Sequence, residues 1–188
     1  MKTKKRISAV DIAECAIFIA LMVAASYIQI PFPLVPLTFQ TVISVLSGLL
    51  LGWKKGTASM AVYCFMGLIG LPVFAAGGGI YYVLKPSFGY ILGFILSAAV
   101  GGLILNGENL PFWRYIVAAL CACLADYVVG IPYCMVAAKL LNVQNLTGLF
   151  ITGNLIYLPK DLGLCVFAAL LAKTVKPVIL KSGRKIRR

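Results

Sequence analysis

The residue pair most able to do chemistry in this chain is Lys160–Asp161, in the stretch NLIYLPKDLGLCVFAALLA. An ionised aspartate accepts hydrogen bonds and a lysine ammonium donates them, so an adjacent pair can bind a polar ligand. Ionisable side chains are costly in apolar surroundings, where they tend to line sites or pathways. The alternative is a helix-cap arrangement, in which Pro159 opens a helix, Asp161 meets the positive end of its dipole and Lys160 reaches to water.

A second candidate is Asp126, near the middle of the apolar stretch that contains ALCACLADYVVGIPY. A charge in such a place must face the interior of a helix bundle or a cavity, or else be protonated. We expect Asp126 either to line a polar cavity or to stabilise helix packing beside the irregularity at Gly130–Pro132.

The stretch AAGGGIYYVLKPSFGY combines a glycine run with aromatic residues and a lysine. Successive N–H groups around Gly78 could form an anion-binding nest, with Lys85 close by. Tyr82 and Tyr90 would supply flat apolar surfaces with polar tips. The alternative is an outer re-entrant turn with an aromatic belt.

Several classes of chemistry are disfavoured by the residues that the chain lacks. It contains no histidine, no Cys-x-x-Cys, no P-loop and no Gly-x-Ser-x-Gly motif. We therefore expect neither an enzyme nor a metal or cofactor site, and we expect active transport to draw its energy from a partner or an ion gradient. The net charge of +12 lies mainly in basic flanks around apolar runs, which favours lipid over nucleic acid as a partner.

The elements that hold these residues are predicted to be transmembrane helices. The chain has 188 residues, of which 62% are hydrophobic and only 12% charged, against roughly 25% charged in soluble domains. Because a membrane span needs about 20 apolar residues, we predict an all-α bundle of six transmembrane helices in one domain. The predicted spans are 9–30, 37–53, 57–76, 86–105, 112–140 and 158–175, and the predicted basic cytoplasmic tails are 1–8 and 176–188.

The distribution of Lys and Arg predicts that both termini are cytoplasmic. With that orientation, only three of the 17 basic residues, Lys85, Lys139 and Lys160, lie on the outer side. The Lys160–Asp161 pair would then lie at the outer end of the sixth helix.

Small residues in the first predicted helix form a stripe at Ala16, Ala20 and Ala24. A stripe of small residues four apart lets another helix approach closely. The approaching helix could belong to a partner protein or to this chain itself.

Four stretches resemble one known family along nearly the whole chain, from about residue 16 to residue 173: IPFPLVPLTFQT, YCFMGLIGLPVFAAGGG, KPSFGYILGF and LPKDLGLCVFAALLAK. They are similar to the BioY family, the biotin-binding S-components of energy-coupling-factor vitamin transporters. The resemblance implies a six-helix protein of the bacterial cell membrane that captures biotin at its outer face. It also implies partnership with a membrane coupling protein, through Ala16, Ala20 and Ala24, and with two ATPase subunits, and a lid at residues 31–40.

For the ligand site, the resemblance implies that Lys160 and Asp161 bind polar groups of biotin, assisted by Gln40 and Asn154. Tyr82 and Tyr90 would flank its ring or its tail.

The chain departs from the family pattern in two places. The family lysine three residues after the aspartate is Leu164 here, and Lys160 lies one helical turn earlier on the same face. The segment Lys85–Tyr90 also differs from the usual glycine-rich motif.

Two other functions are compatible with this sequence. The chain could be an S-component for another small vitamin, which predicts that biotin does not bind. It could also be a stand-alone secondary carrier or channel, which predicts uptake by the purified single chain.

Overall fold

A computed structural model describes residues 8–30, 35–107 and 110–186, which form a helical bundle with one small sheet. The tail residues 1–7 and 187–188, and residues 31–34 of the predicted lid, lie outside the described residues. The α-helices are α1 (Ala9–Tyr27), α2 (Gln40–Leu68), α3 (Phe88–Ile104), α4 (Phe112–Leu140), α5 (Leu146–Gly153) and α6 (Leu158–Ile186). Strands β1 (Gln29–Ile30) and β2 (Leu37–Thr38) pair antiparallel, and two 3₁₀ helices cover Ile80–Leu84 and Leu155–Tyr157.

Helix α2 contains most of the second predicted span and the first part of the third, separated by a sharp bend at Gly52. The third span was predicted to reach residue 76, but the helix ends at Leu68, because Gly70 takes a turn conformation with φ 106°. The backbone of Gly52 has φ 78° and ψ 168°, a conformation that essentially only glycine adopts without strain. The break therefore falls two residues before Lys54–Lys55–Gly56, the segment where the sequence predicted it. The two arms of α2, with α1, α3, α4 and α6, make up the predicted six-helix bundle, to which α5 adds a short helix.

The predicted boundaries hold best where polar or proline residues end an apolar run. Helix α4 has the predicted bounds, and α6 begins at Leu158 as predicted. Residues 176–186, predicted as part of a basic tail, continue α6. Lys176 is buried there, and its Nζ donates to the carbonyl oxygen of Leu105 at 2.8 Å.

By length and composition, three described helical segments can cross a membrane: 9–27, 112–140 and 155–179. Large apolar side chains are exposed on the outward faces of these segments, including Ile17, Val128 and Phe167. Such faces suit lipid, because a soluble protein rarely exposes so much contiguous apolar surface.

The bundle has two ends, which we name the Gln40 end and the Gly52 end. Helices α2, α3 and α6 all begin at the Gln40 end. At the Gly52 end, Lys55 binds two acidic residues of α1, Asp11 at 3.3 Å and Glu14. This ion-pair cluster fixes the start of α1 against the bend in α2.

Candidate functional site

A cleft opens at the Gln40 end, between the first turns of α2, α3 and α6 and the middle of α4. Its volume is about 530 Å³ when the space open to solvent is included. The cleft is lined by Val35, Pro36, Leu37, Thr38, Gln40, Thr41, Ala75, Tyr82, Ser87, Tyr90, Ile91, Phe94, Tyr127, Tyr157, Lys160 and Asp161.

The predicted pair Lys160–Asp161 lies in this cleft, in the first turn of α6. Lys160 Nζ is 2.8 Å from Asp161 Oδ1, and it donates to the carbonyl oxygen of Thr38 at 2.7 Å. Tyr127 Oη donates to Asp161 Oδ2 at 2.6 Å. The carboxylate is therefore held between α4 and α6, while the ammonium reaches across to β2. Asp161 is 5% exposed, so a ligand that reaches it leaves bulk water behind.

Three other predicted site residues also line the cleft. Gln40, the first residue of α2, donates through Nε2 to Tyr63 Oη at 2.6 Å. The Tyr82 ring packs against Phe74, with 4.6 Å between ring centres. The Tyr90 ring meets the edge of Tyr127 at 5.7 Å between centres. These rings form the apolar walls around the charged pair.

Two predicted site residues are buried behind the lining. Asn154 accepts a hydrogen bond from Tyr90 Oη at 2.5 Å through its Oδ1, so it supports the wall. Asp126 accepts from Thr41 Oγ1 at 3.1 Å, whereas its Oδ1 has no hydrogen-bond partner among the described residues. Gly93 makes room for this carboxylate, since a Cβ at Gly93 would be 2.2 Å from Oδ1.

The glycine run does not form the nest that its sequence suggested. The N–H of Gly77 donates to Phe74 O at 3.1 Å, and that of Gly79 donates to Gly67 O at 2.7 Å. Gly78 packs against the backbone, where a Cβ would meet Leu71 O at 2.1 Å. The run therefore shapes a tight turn and does not line the cleft.

Lys85 also lies outside the cleft lining, next to one of its walls. It is exposed, and its Nζ donates to Ala76 O at 3.1 Å. The same ammonium lies 4.8 Å from the centre of the Tyr82 ring. This contact supports the outer face of the wall that Tyr82 forms.

Sequence reasoning missed several polar residues of the cleft, above all Thr38, Thr41 and Tyr127. Thr41 lies one residue after Gln40, and Tyr127 lies one residue after Asp126. A polar residue beside a predicted site residue was the available signal. This signal does not tell which neighbouring residue faces the cleft, because that depends on how the helices cross.

The small-residue stripe lies on the open side of α1. Ala16, Ala20 and Ala24 are exposed, whereas the opposite face of α1 is buried and packs against α2. Among the described residues, no other helix covers this stripe. The surface is therefore available to a helix from outside the chain.

Comparisons with known proteins identify the family. A probable biotin transporter BioY of Lysinibacillus sphaericus is 39% identical over 97% of this chain and 94% of its own length. The biotin transporter BioY of Thermotoga maritima is 37% identical over 64% of this chain and 72% of its own length. A crystal structure of the S-component for biotin from an ECF-type ABC transporter has the same fold, with a TM-score of 0.75 and 22% identity over 92% of this chain and 95% of that one. The BioY family model matches residues 1–181, and the chain therefore belongs to the BioY family of multi-pass membrane transport proteins.

Proposed function

We propose that this chain is the substrate-binding membrane subunit of an energy-coupling-factor importer, and that it captures biotin from outside with high affinity. The observation that carries the proposal is the Lys160–Asp161 ion pair, which lines a solvent-open cleft in a chain of the BioY family. The name of the Lysinibacillus sphaericus relative supports biotin as the ligand.

The polar atoms of the cleft complement those of biotin. Biotin carries a ureido group with two N–H donors and one carbonyl acceptor, and a tail that ends in a carboxylate. Asp161 keeps further lone pairs for N–H donors, and Lys160 keeps one N–H beyond its contacts with Thr38 and Asp161. Charge-assisted hydrogen bonds of this kind are worth about 1.5–3 kcal/mol each. The rings of Tyr82, Tyr90 and Phe94 would supply apolar contact with the bicyclic ring and the tail.

The proposal is tested by calorimetric titration of biotin into the purified chain in detergent, after removal of any ligand that co-purifies. We expect one-to-one binding with a Kd in the nanomolar range. No binding by a chain shown to be folded would contradict biotin as the ligand. A titration series with other vitamins would then decide whether the cleft belongs to an S-component of different specificity.

Delivery across the membrane is proposed to depend on partner subunits. We propose that α1 contacts a membrane coupling protein through Ala16, Ala20 and Ala24, and that two ATPase subunits supply the energy. The exposure of the stripe supports this contact, since small residues let two helices approach closely. The distribution of basic residues supports cytoplasmic termini, which place the cleft on the outside.

Substitution of the stripe separates capture from delivery. Ala20→Trp should abolish biotin uptake in cells that contain the coupling subunits, because the bulky ring prevents close helix contact. Biotin binding by the purified variant should stay within about twofold of wild type. Ala20→Ser keeps the side chain small and should keep both activities.

Uptake by the purified wild-type chain alone in liposomes, driven by a gradient, would instead favour a stand-alone carrier.

A further inference from the structure

Behind the cleft, a fully buried tyrosine is hydrogen-bonded to a residue that lines it. Tyr63 is 0% exposed and lies in the second arm of α2, outside the cleft lining. Its Oη accepts from Gln40 Nε2 at 2.6 Å and donates to Val73 O at 2.9 Å. The Tyr63 ring also meets Phe74, which packs against Tyr82, so it is the effect of the Tyr63 hydroxyl that passes through Gln40.

The two hydrogen bonds of Tyr63 determine the orientation of the Gln40 amide, that is, which of Nε2 and Oε1 faces Tyr63. A phenol has one hydrogen, and Tyr63 gives it to the Val73 carbonyl, which can only accept. Tyr63 Oη must then receive a hydrogen from Gln40, and only the amide nitrogen can supply one. Oε1 of Gln40 is left as the acceptor on the other side of the amide. A flipped amide would need the Tyr63 hydrogen for itself and would remove it from Val73.

A second hydroxyl, that of Ser26, lies close to both the Val73 carbonyl and Tyr63. Ser26 Oγ is 2.7 Å from Val23 O and 2.9 Å from Val73 O, but it has a single hydrogen to share between the two carbonyls. The Val73 carbonyl oxygen has two lone pairs and can accept from both hydroxyls, and with Tyr63 donating to it the Tyr63 oxygen is left to accept from Gln40.

We propose that Tyr63 is a positioning residue that holds Gln40 with its Oε1 towards the cleft, where this oxygen accepts an N–H of the ligand. The inference rests on the proposed function, because the N–H groups of biotin lie only in its ureido ring. It therefore places the ureido ring next to Gln40 at the start of α2. It also makes Tyr63 a determinant of specificity for a ligand with an N–H donor at that position.

The test compares two ligands: biotin, and an analogue in which ring oxygens replace the two ureido N–H groups. In calorimetry, Tyr63→Phe should weaken biotin binding about 3- to 10-fold, the range expected for one neutral hydrogen bond. Binding of the analogue should change less than about twofold, because it has no N–H to present to Gln40. Tyr115→Phe is the matched control, since Tyr115 is a buried tyrosine of the core that lies outside the cleft lining. It should leave both affinities unchanged.

A double-mutant cycle tests the route through Gln40. Once Gln40→Leu has removed the amide, Tyr63→Phe should weaken biotin binding no further. Equal losses with and without Gln40, or equal losses for biotin and the analogue, would overturn the inference.

If Tyr63→Phe fails to fold, Gln40→Leu alone decides, because it should reduce the preference of the chain for biotin over the analogue. If the wild-type chain binds biotin and Tyr63→Phe binds it with the same affinity, only the inference about Tyr63 is overturned. If the wild-type chain does not bind biotin, the proposed function is overturned as well.

Discussion

Asp161 and Asp126 are both buried in the apolar bundle, yet their surroundings differ in kind. Asp161 lies in the first turn of α6 beside an ammonium at 2.8 Å and a phenol at 2.6 Å. Asp126 lies inside α4. Among the described residues, Thr41 is its one hydrogen-bond donor, and no Lys or Arg forms an ion pair with it. Asp161 lines the cleft, and Asp126 stands one layer behind it.

The difference shows that burial alone does not identify a ligand-binding charge. In a membrane, an ionisable side chain away from lipid is a candidate for a functional site. The structure adds two criteria, which are a surface open to the cleft and partners that keep the charge while leaving lone pairs for a ligand. Asp161 meets both, whereas Asp126 faces Thr41 and the backbone at Gly93.

The largest effect on binding is expected from Asp161→Asn. The substitution removes the negative charge, and the new amide nitrogen cannot accept from Tyr127 or Lys160. We expect biotin binding to weaken at least about tenfold, and more than about 100-fold if two charge-assisted bonds are lost. Calorimetry on the folded variant measures the change. If the variant bound biotin with wild-type affinity, Asp161 would not be part of the proposed site.

Lys160→Ala should also weaken biotin binding at least about tenfold, because it removes the ammonium and leaves Asp161 without its ion pair. Lys54→Ala, at an exposed lysine of the Gly52 end, is the control and should bind normally. In the double variant Lys160→Ala/Leu164→Lys, the lysine occupies the position where the BioY family usually has one. This position lies one helical turn later on the same face of α6. Part of the lost affinity should return. A double variant as weak as Lys160→Ala would show that the two positions are not equivalent.

Tyr127→Phe should have a smaller effect, because it removes a neutral donor and leaves the ion pair in place. We expect affinity for biotin to fall about 3- to 10-fold as Asp161 loses a bond that orients it. If Asp161 and Tyr127 act together, Tyr127→Phe should cost little more in the Asp161→Asn background. Additive losses in titrations of the four proteins would mean that the phenol acts independently of Asp161.

Much of the fold was predictable because lipid imposes simple requirements on sequence. Apolar runs that end in proline or polar residues gave α4 its bounds and α6 its first residue. The bend in α2 was placed a few residues late, since the lysines indicated an aqueous end whereas the turn itself depends on the backbone freedom of Gly52.

The site was predictable where a residue is unusual for its surroundings. Lys160 and Asp161 are conspicuous in an apolar run, and both line the cleft. Thr41 and Tyr127 are ordinary in membrane helices, and their one signal in the sequence is that each directly follows a predicted site residue. Their roles follow from helix crossings that bring α2 and α4 to the cleft, which a one-dimensional pattern does not contain.

The smallest effect on binding is expected from Asp126→Asn, which tests the other side of the comparison. Asparagine has nearly the same volume, can still bond to Thr41, and removes a carboxyl group for which the described residues supply no ion-pair partner. We expect biotin affinity to stay within about threefold of wild type. The melting temperature in detergent should be unchanged or higher, since a buried acidic group without an ion-pair partner is costly to the fold. A tenfold loss of affinity with normal stability would show that the charge on Asp126 reaches the ligand through Thr41. The two aspartates would then form one site across the α2–α4 contact, and the lining of the cleft would no longer be its functional boundary.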